Sequence, residues 1–472
     1  MSGNEIHWMS AHQLLDAYRE GSLSPVEVTA AILERVDAVN PRINAIVTPT
    51  PEMAIEQAKE SEKRYRDGDA RALEGIPVTV KDLIPTKGIR TTFGSKLYEE
   101  YVPDQDAVLV ERLKAAGTVM LGKTNTPEFG LVAVTDNLIF GPARNPWDLK
   151  KTTGGSSGGA GGALAAGLGP LAVGNDGGGS IRVPSSLCGV FGIKPQFGRI
   201  PSTGKPYHGW ETMNAEGPMA RSVADAALML DVMAGPDDRD RFSLPAPRVS
   251  YGAEVEAGVE GLKVAYTSDL SNQAVEPEVV EITRKAASSF AELGCVFAED
   301  DPGIPDLSND LVTVVVLETA TAHEEHLDRA KELLYPLYVP FLELPPVFSS
   351  MDYVRVGYHR EDMWQNLWPF FEKYDLLLTP ATSCAAFDIR EGGMLSPDTI
   401  DGKPATPASW IGFTFPFNFS GQPAASVPCG FTGSGLPVGL QIVGRRYDEA
   451  TVLQAAAAFE RANRWVDRHP DL

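Results

Sequence analysis

At 472 residues the chain exceeds the roughly 250 to 300 residues at which a single hydrophobic core usually stops growing, so one oversized domain or two domains are both admissible. Hydrophobic residues make up 43% and charged residues 22%, which excludes a disordered or fibrous chain. With 41 basic against 63 acidic residues the net charge is −22, and with no local basic patch evident this argues against nucleic acid and anionic membranes as partners.

The N-terminal stretch MSGNEIHWMSAHQLLDAY has no basic segment followed by an apolar run, so it does not read as a secretory signal and a cytoplasmic address is expected. Ser10 with Gln13, and Ser24 with Glu27, form two capping-box patterns, each followed by helically spaced apolar residues such as Leu14, Leu15, Tyr18 and Val28, Ile32, Val36. Two opening helices are predicted. From Gly75 onward, short apolar runs (IPVTV, TVML, LAVG) alternate with helical stretches such as AVLVERLKAAG, as expected of an α/β sheet protein. LKVAYTSDL followed by EVVEITRKAASSFAELG repeats the strand-then-helix pattern. The most apolar stretch, from Leu333 to Phe348, is broken by Pro336, Pro340, Pro345 and Pro346, which makes it a wall or lid and not a membrane span. Cys188, Cys295, Cys384 and Cys429 are far apart and without CxxC spacing, which suits buried free thiols.

Between Gly154 and Gly179 there are 12 glycines in 26 residues, against 45 in the whole chain. Glycine is costly on folding, so this density implies positive φ, close backbone approach, or amides aimed at a ligand. A flexible linker is the bland alternative, and the apolar ALAAGLGPLAV inside the segment speaks against it.

Three short motifs mislead. Gly117, Gly122, Lys123 and Thr124 satisfy the phosphate-loop pattern of nucleotide hydrolases, but the apolar TVML lies between the glycines and Pro127 follows closely, where a helix should start. Gly154, Ser156 and Gly158 satisfy the GxSxG nucleophile elbow of α/β-hydrolase esterases. The preceding WDLKKTT is polar and not a buried strand, and the candidate bases His208, His323, His326, His359 and His469 have no telling setting. His323 and His326 in HEEH are three apart, not four, and a solvated helix face is expected there instead of a zinc site.

What remains is a three-part set. Lys81 ends the apolar GIPVTVKD; it either surfaces at the strand end or is buried with a lowered pKa, neutral as a general base must be. GGSSGG spans residues 154 to 159. In NDGGGSIR, residues 175 to 182, Ser180 follows three glycines whose amides can converge on one oxygen, as an oxyanion hole requires.

With Gly122 to Phe129 (GKTNTPEF), Gly141 to Asp148 (GPARNPWD), Asp176 to Ser185 (DGGGSIRVPS), Cys188 to Gly198 (CGVFGIKPQFG) and Pro416 to Gly444, these stretches make the chain resemble the amidase signature family. The resemblance covers nearly the whole sequence and is weakest from about Asp237 to Tyr374. It implies an α/β fold: a single large α/β/α domain over residues 1–472, with a mixed twisted sheet covered by helices on both sides. Residues 75–235 would be the signature core, 236–375 a variable substrate-side region, and 376–472 the C-terminal part of the same sheet and helices.

The resemblance also implies roles. Ser180 is the acyl-forming nucleophile, Ser156, preceded by a cis peptide, passes protons, and Lys81 is the neutral base. The oxyanion donors fall on the amides of Gly177, Gly178, Gly179 and Ser180. No metal and no organic cofactor is called for. Two departures from the family pattern are Asn175, where threonine is usual, and Gly161 with Gly162, where alanines are expected; only the stiffness of the following helix is put in doubt. Asp176 and Arg182 either form a structural pair or bind a substrate carboxylate, and the structural pair is preferred.

By analogy with where the family builds its pocket, Phe129, Gly130, Tyr207, Trp210 and Phe415 are the expected substrate-binding residues. Phe413, Phe417 and His208 lie in the same segments, and no Arg or Lys lies inside them. The expected partner is therefore a small apolar or aromatic amide, anilide, aryl ester or carbamate, and a homodimer is admissible. Four alternatives stay open: the glutamine-hydrolysing component of a tRNA-dependent amidotransferase, for which TMNAEGP lacks the usual SLDQ-type stretch; an esterase using Ser156; a non-catalytic binding protein on the same scaffold; and a phosphate-loop nucleotide hydrolase, whose signature would be ATP-dependent turnover.

Overall fold

The computed structural model describes residues 6–206, 209–210, 212–326, 329, 332–344, 347–390 and 392–472. The apolar runs become strands β1 (Ile46–Pro49), β2 (Pro77–Lys81), β3 (Val119–Thr124), β4 (Leu171–Asp176), β5 (Phe191–Lys194) and β6 (Ala215–Ala220). The second half supplies β7 (Lys263–Tyr266), β8 (Val296–Glu299), β9 (Leu376–Pro380), β10 (Ala424–Phe431) and β11 (Pro437–Gly444). All eleven join one sheet in the order β1-β3-β2-β4-β6-β5-β10-β11-β9-β7-β8. The trios β3-β2-β4 and β9-β7-β8 are parallel, and the other neighbours are antiparallel. The sheet is therefore mixed, as expected.

The helices used below are α1 (Ala11–Glu20), α2 (Pro25–Ile43), α3 (Val108–Ala115), α4 (Gly158–Ala165), α5 (Arg182–Cys188), α6 (Val223–Met233), α7 (Pro277–Ser288), α8 (Ser308–Ala322), α9 (Ser350–Lys373) and α10 (Glu449–Ala462). Both opening capping boxes form: Ser10 Oγ accepts from the Gln13 amide at 3.1 Å and Ser24 Oγ from the Glu27 amide at 3.2 Å, with both reciprocal bonds present. Each such cap stabilises by about 0.5–2 kcal/mol.

Helices cover both faces because the strands alternate. Leu376 and Leu378 join one apolar cluster, with Leu230 of α6 and Leu453 of α10, while Leu377 joins the other, with Val183 and Leu187 of α5. Among the described residues no helix is long and apolar enough to cross a membrane.

The glycines of α4 do not prevent that helix from forming. A Cβ on Gly161 would stand 3.1 Å from the Pro184 carbonyl oxygen and 3.2 Å from Cys188 Sγ, so the bare residue lets α4 press against α5. Tertiary packing thus overrides weak propensity.

This order fixes the site. Parallel neighbours β2 and β4 end side by side at Lys81 and Asp176, and GGSSGG leads into α4 at the same end. Loops at the carboxyl ends of parallel strands are where open α/β sheets place their ligands.

Candidate active site

Lys81 is the last residue of a strand buried along its length, and its own exposure is 0%. Its Nζ lies 2.6 Å from Ser156 Oγ and 2.5 Å from Asn175 Oδ1. The amide oxygen can only accept, so it takes an amine N–H and leaves the nitrogen lone pair of a neutral lysine for the Ser156 hydroxyl. Burial pushes the Lys81 amine well below the ordinary lysine value, outweighing the carboxylates of Glu216 and Asp176. The peptide between Gly155 and Ser156 is cis, as the resemblance implied. Of the two readings for Lys81, the structure thus selects the buried amine.

Ser180 lies beside these groups. The Ser157 amide donates to the Ser180 carbonyl at 3.1 Å, and Ser156 and Ser180 line one cleft together with Asn175. The preceding glycine loop is held from behind. Asn418 Nδ2 donates to the Asp176 carbonyl, Thr414 Oγ1 to the Gly178 carbonyl, and the Val183 amide to the Gly179 carbonyl. In trans peptides the amide points opposite to the carbonyl, so the first and third of these bonds turn the Gly177 and Ser180 amides away from the anchors. Among the described residues the amides of Gly177, Gly178 and Ser180 have no hydrogen-bond partner. The fourth expected donor is different: the Gly179 amide donates to Asp176 Oδ1 at 2.7 Å and is already committed.

Arg182 is a structural anchor. Nε and Nη2 grip the two Asp176 oxygens, Nη1 donates to the Thr414 carbonyl and Gln441 Oε1, and Nη2 also donates to Asn418 Oδ1. All five guanidinium donors are used at 0% exposure, which leaves none for a substrate carboxylate. Burial alone would raise Asp176, but the Arg182 guanidinium outweighs it and holds the carboxyl well below the usual range.

The expected pocket residues divide. Phe129, Gly130 and Trp210 line the cleft, and a Cβ on Gly130 would stand 3.2 Å from Ser156 Oγ. Phe415 lines neither chamber; it is buried behind Gly178, its Cβ 3.7 Å from where a Gly178 Cβ would lie, so it supports the oxyanion loop. Tyr207 and His208 fall outside the described residues. A second, mostly apolar chamber opens from Ser180 and Trp210 and is walled by Leu311, Val315, Phe341 and Ile411. Leu311 and Val315 come from α8 and Phe341 from the proline-broken stretch, which is a wall as expected.

Sequence reasoning missed three groups. Lys205 lines the cleft, two residues before the aromatic segment, so the mouth is not free of charge. Asn175, read as a harmless departure, is the partner of Lys81. His323 is not on a solvated face: it is buried, follows the end of α8, and stacks on Phe129 at a centroid distance of 3.9 Å. Burial holds its imidazole at about 4, so it is neutral near pH 7.

The remaining motifs resolve as the sequence context suggested. Gly122, Lys123 and Thr124 lie within β3 itself, and Lys123 Nζ donates to Thr86 Oγ1 at 2.8 Å and to the Ile84 carbonyl, so no phosphate loop exists. The strand before Ser156, Asp148–Thr152, pairs with Arg144–Asn145 in a separate two-stranded sheet and bridges through Lys151 to Asp388, so among the described residues it does not join the main sheet and Ser156 is not on an elbow of it. The four cysteines are free.

A sequence model of the family described as Amidase matches residues 27–453. The chain is 39% identical over 477 residues to an acylamidase of Rhodococcus erythropolis, covering 100% of this chain and 98% of that protein. It is 37% identical to a glutamyl-tRNA(Gln) amidotransferase component of Moorella thermoacetica, over 99% of each chain. Among solved structures it is similar to a bacterial aryl acylamidase of the amidase signature enzymes, with a TM-score of 0.91, 30% identity and 98% of each chain covered. It is also similar to 6-aminohexanoate cyclic dimer hydrolase, with a TM-score of 0.88, 32% identity, and 98% and 99% of the chains covered.

Proposed function

The chain belongs to the amidase signature family and is a hydrolase of amide C–N bonds, and from that premise we propose that it works through an acyl-enzyme on Ser180 with Ser156 and Lys81 as proton relay. The observation that carries this reading is the fully buried Lys81 amine, 2.6 Å from Ser156 Oγ at the wall of the cleft that also holds Ser180.

The chemistry follows from that arrangement. Ser180 Oγ attacks the substrate carbonyl while its proton moves to Ser156 and the Ser156 proton moves to the Lys81 lone pair. The oxyanion is met by the amides of Gly177, Gly178 and Ser180, and losing one such donor typically costs about 10²–10³ in rate. Protonated Lys81 returns the proton through Ser156 to the leaving nitrogen, whose C–N bond breaks. Water then attacks the acyl-enzyme by the same relay run again.

The substrate's apolar or aryl group fits the chamber of Leu311, Val315, Phe341 and Ile411, with the scissile amide at the Ser180 junction. The whole chain acts as one amidase domain, its 236–375 region supplying that wall. Aryl amides and anilides are the favoured substrates, ahead of glutamine, whose charged α-groups find no partner in an apolar chamber.

The test is labelling by an organophosphorus or sulfonyl fluoride reagent, with turnover of an amide, anilide, ester and carbamate panel that includes glutamine. The label is expected on Ser180, and Ser180→Ala should lower turnover about a millionfold. A label on Ser156 sinks the assignment, and efficient glutamine turnover would restore the amidotransferase reading.

A further inference from the structure

Strand β6 runs antiparallel to β4, and its register sets Glu216 opposite Asn175. Asn175 is the residue whose side chain receives the Lys81 amine, so Glu216 stands next to the amine's own partner. Glu216 is 2% exposed. Its Oε1 accepts from Ser202 Oγ at 3.0 Å and from Asn214 Nδ2 at 3.2 Å, and lies 3.6 Å from Lys205 Nζ. Its Oε2 is buried with no hydrogen-bond partner among the described residues. Among the described residues the cost of burying this oxygen is not met by a donor.

The surroundings supply a reason. Asn214 and Lys205, which hold Glu216, line the cleft with Ser156, Asn175 and Ser180. The charged groups acting on Lys81 are Glu216 and Asp176, which favour its proton, and Lys205, which opposes it. Asp176 is matched at contact distance by Arg182, whereas the cation beside Glu216 stands at the longer 3.6 Å. Without a compensating negative charge, burial would lower the proton affinity of Lys81 further. A relay base must hold its proton for part of each cycle.

We propose that Glu216 is a positioning residue of the relay: a buried carboxylate that stabilises the proton on Lys81 between its departure from Ser180 and its delivery to the leaving nitrogen, with Lys205 opposing it. Glu216 forms no bond to substrate and transfers no proton. The proposal rests on the Lys81 relay of the preceding subsection.

The experiment is the pH profile of kcat/KM on a neutral anilide for wild type, Glu216→Gln, Lys205→Gln and Lys81→Met. Wild-type activity rises with pH as Lys81 loses its proton. Glu216→Gln should move that acid limb about one unit to lower pH, since the lost carboxylate no longer favours the protonated amine, and lower the plateau about tenfold. Lys205→Gln should move the limb to higher pH, and this arm stands even where Glu216→Gln fails to fold. Opposite displacements support the inference. A limb that stays in place in either folded variant, with activity scaled equally at every pH, overturns it and leaves Glu216 a packing residue. If Lys81→Met remains active, the relay itself falls; if Lys81→Met is dead and the limbs stay in place, only the Glu216 inference falls.

Discussion

Replacing Lys81 by methionine separates chemistry from folding more cleanly than removing either serine. Methionine has nearly the length of the lysine stem and needs no new space in a strand that is fully buried. Two bonds are lost, at 2.6 Å to Ser156 and 2.5 Å to Asn175. Each contributes about 0.5–1.5 kcal/mol, and the orphaned Asn175 oxygen costs about 1–3 kcal/mol. Against this, the variant no longer desolvates an amine, so the expected net change in stability is within about 2 kcal/mol. The sign depends on pH. Because burial lowers the folded-state pKa of Lys81, the unfolded chain binds its proton more readily, and wild-type stability falls as pH drops from the ordinary lysine range toward the lowered value. The variant should therefore gain on wild type as pH falls. General bases contribute about 10²–10⁴, and members of one relay act as a unit, so kcat should fall at least about 10⁴-fold. Urea unfolding at two pH values and steady-state anilide hydrolysis read both quantities. A folded Lys81→Met enzyme that keeps more than about a tenth of wild-type kcat refutes the base role.

Three further outcomes are expected. Arg182→Gln breaks a buried pair and leaves Asp176 without its guanidinium, so urea unfolding should show a loss of about 3–5 kcal/mol; a stable variant that merely raises KM for carboxylated substrates would contradict the anchor role. Val315→Asp places a charge in the apolar chamber and should lower kcat/KM for anilides at least about tenfold relative to a small aliphatic amide; equal losses on both substrates would remove that chamber from substrate binding. Burial first, then the nearby Arg182, lowers the Lys194 amine to about 7, so wild-type stability should rise with pH from about 7 toward the ordinary lysine value, and Lys194→Met should reduce that slope. An unchanged slope in thermal melts at about pH 6 and pH 9 would show that Lys194 is not buried as described.

The legible parts of the fold were those whose signals are local. A capping box is complete within four residues, so Ser10 with Gln13 and Ser24 with Glu27 announced α1 and α2, and alternating apolar runs announced β2, β4 and β7 with helices α3 and α7. Strand order was not legible in the same way. That β6, formed 39 residues after β4 ends, slots beside it ahead of β5 depends on pairings no local pattern encodes. Gly161 shows the converse failure: local propensity argued for a weak helix, and contact with Pro184 and Cys188 made the glycine an asset.

The site divides along the same line. Lys81, Ser156 and Ser180 stand in motifs, so they could be picked out as candidates even though they lie far apart in the chain. Their electrostatic setting was not, because it is a signed sum over side chains from separate segments: Asp176 cancelled at contact by Arg182, Glu216 brought in by strand pairing, and Lys205 arriving from a loop. Each residue type could be read, but neither the distances nor the cancellations. That is why an uncharged pocket was expected from three aromatic segments and fits the chamber of Leu311 and Val315 but not the mouth, where Lys205 stands. The comparison of two anilides differing by one carboxylate changes meaning accordingly. Arg182 has no donor left to offer, so a preference for the carboxylated member would report on Lys205. Drawing Lys205 toward substrate would also loosen its hold on Glu216, so such a substrate should raise the affinity of Lys81 for its proton in the complex and shift the acid limb of its kcat profile, which reports the bound state, to higher pH. A carboxylated anilide with higher kcat/KM and an unmoved limb would mean that Lys205 reads substrate without touching the relay.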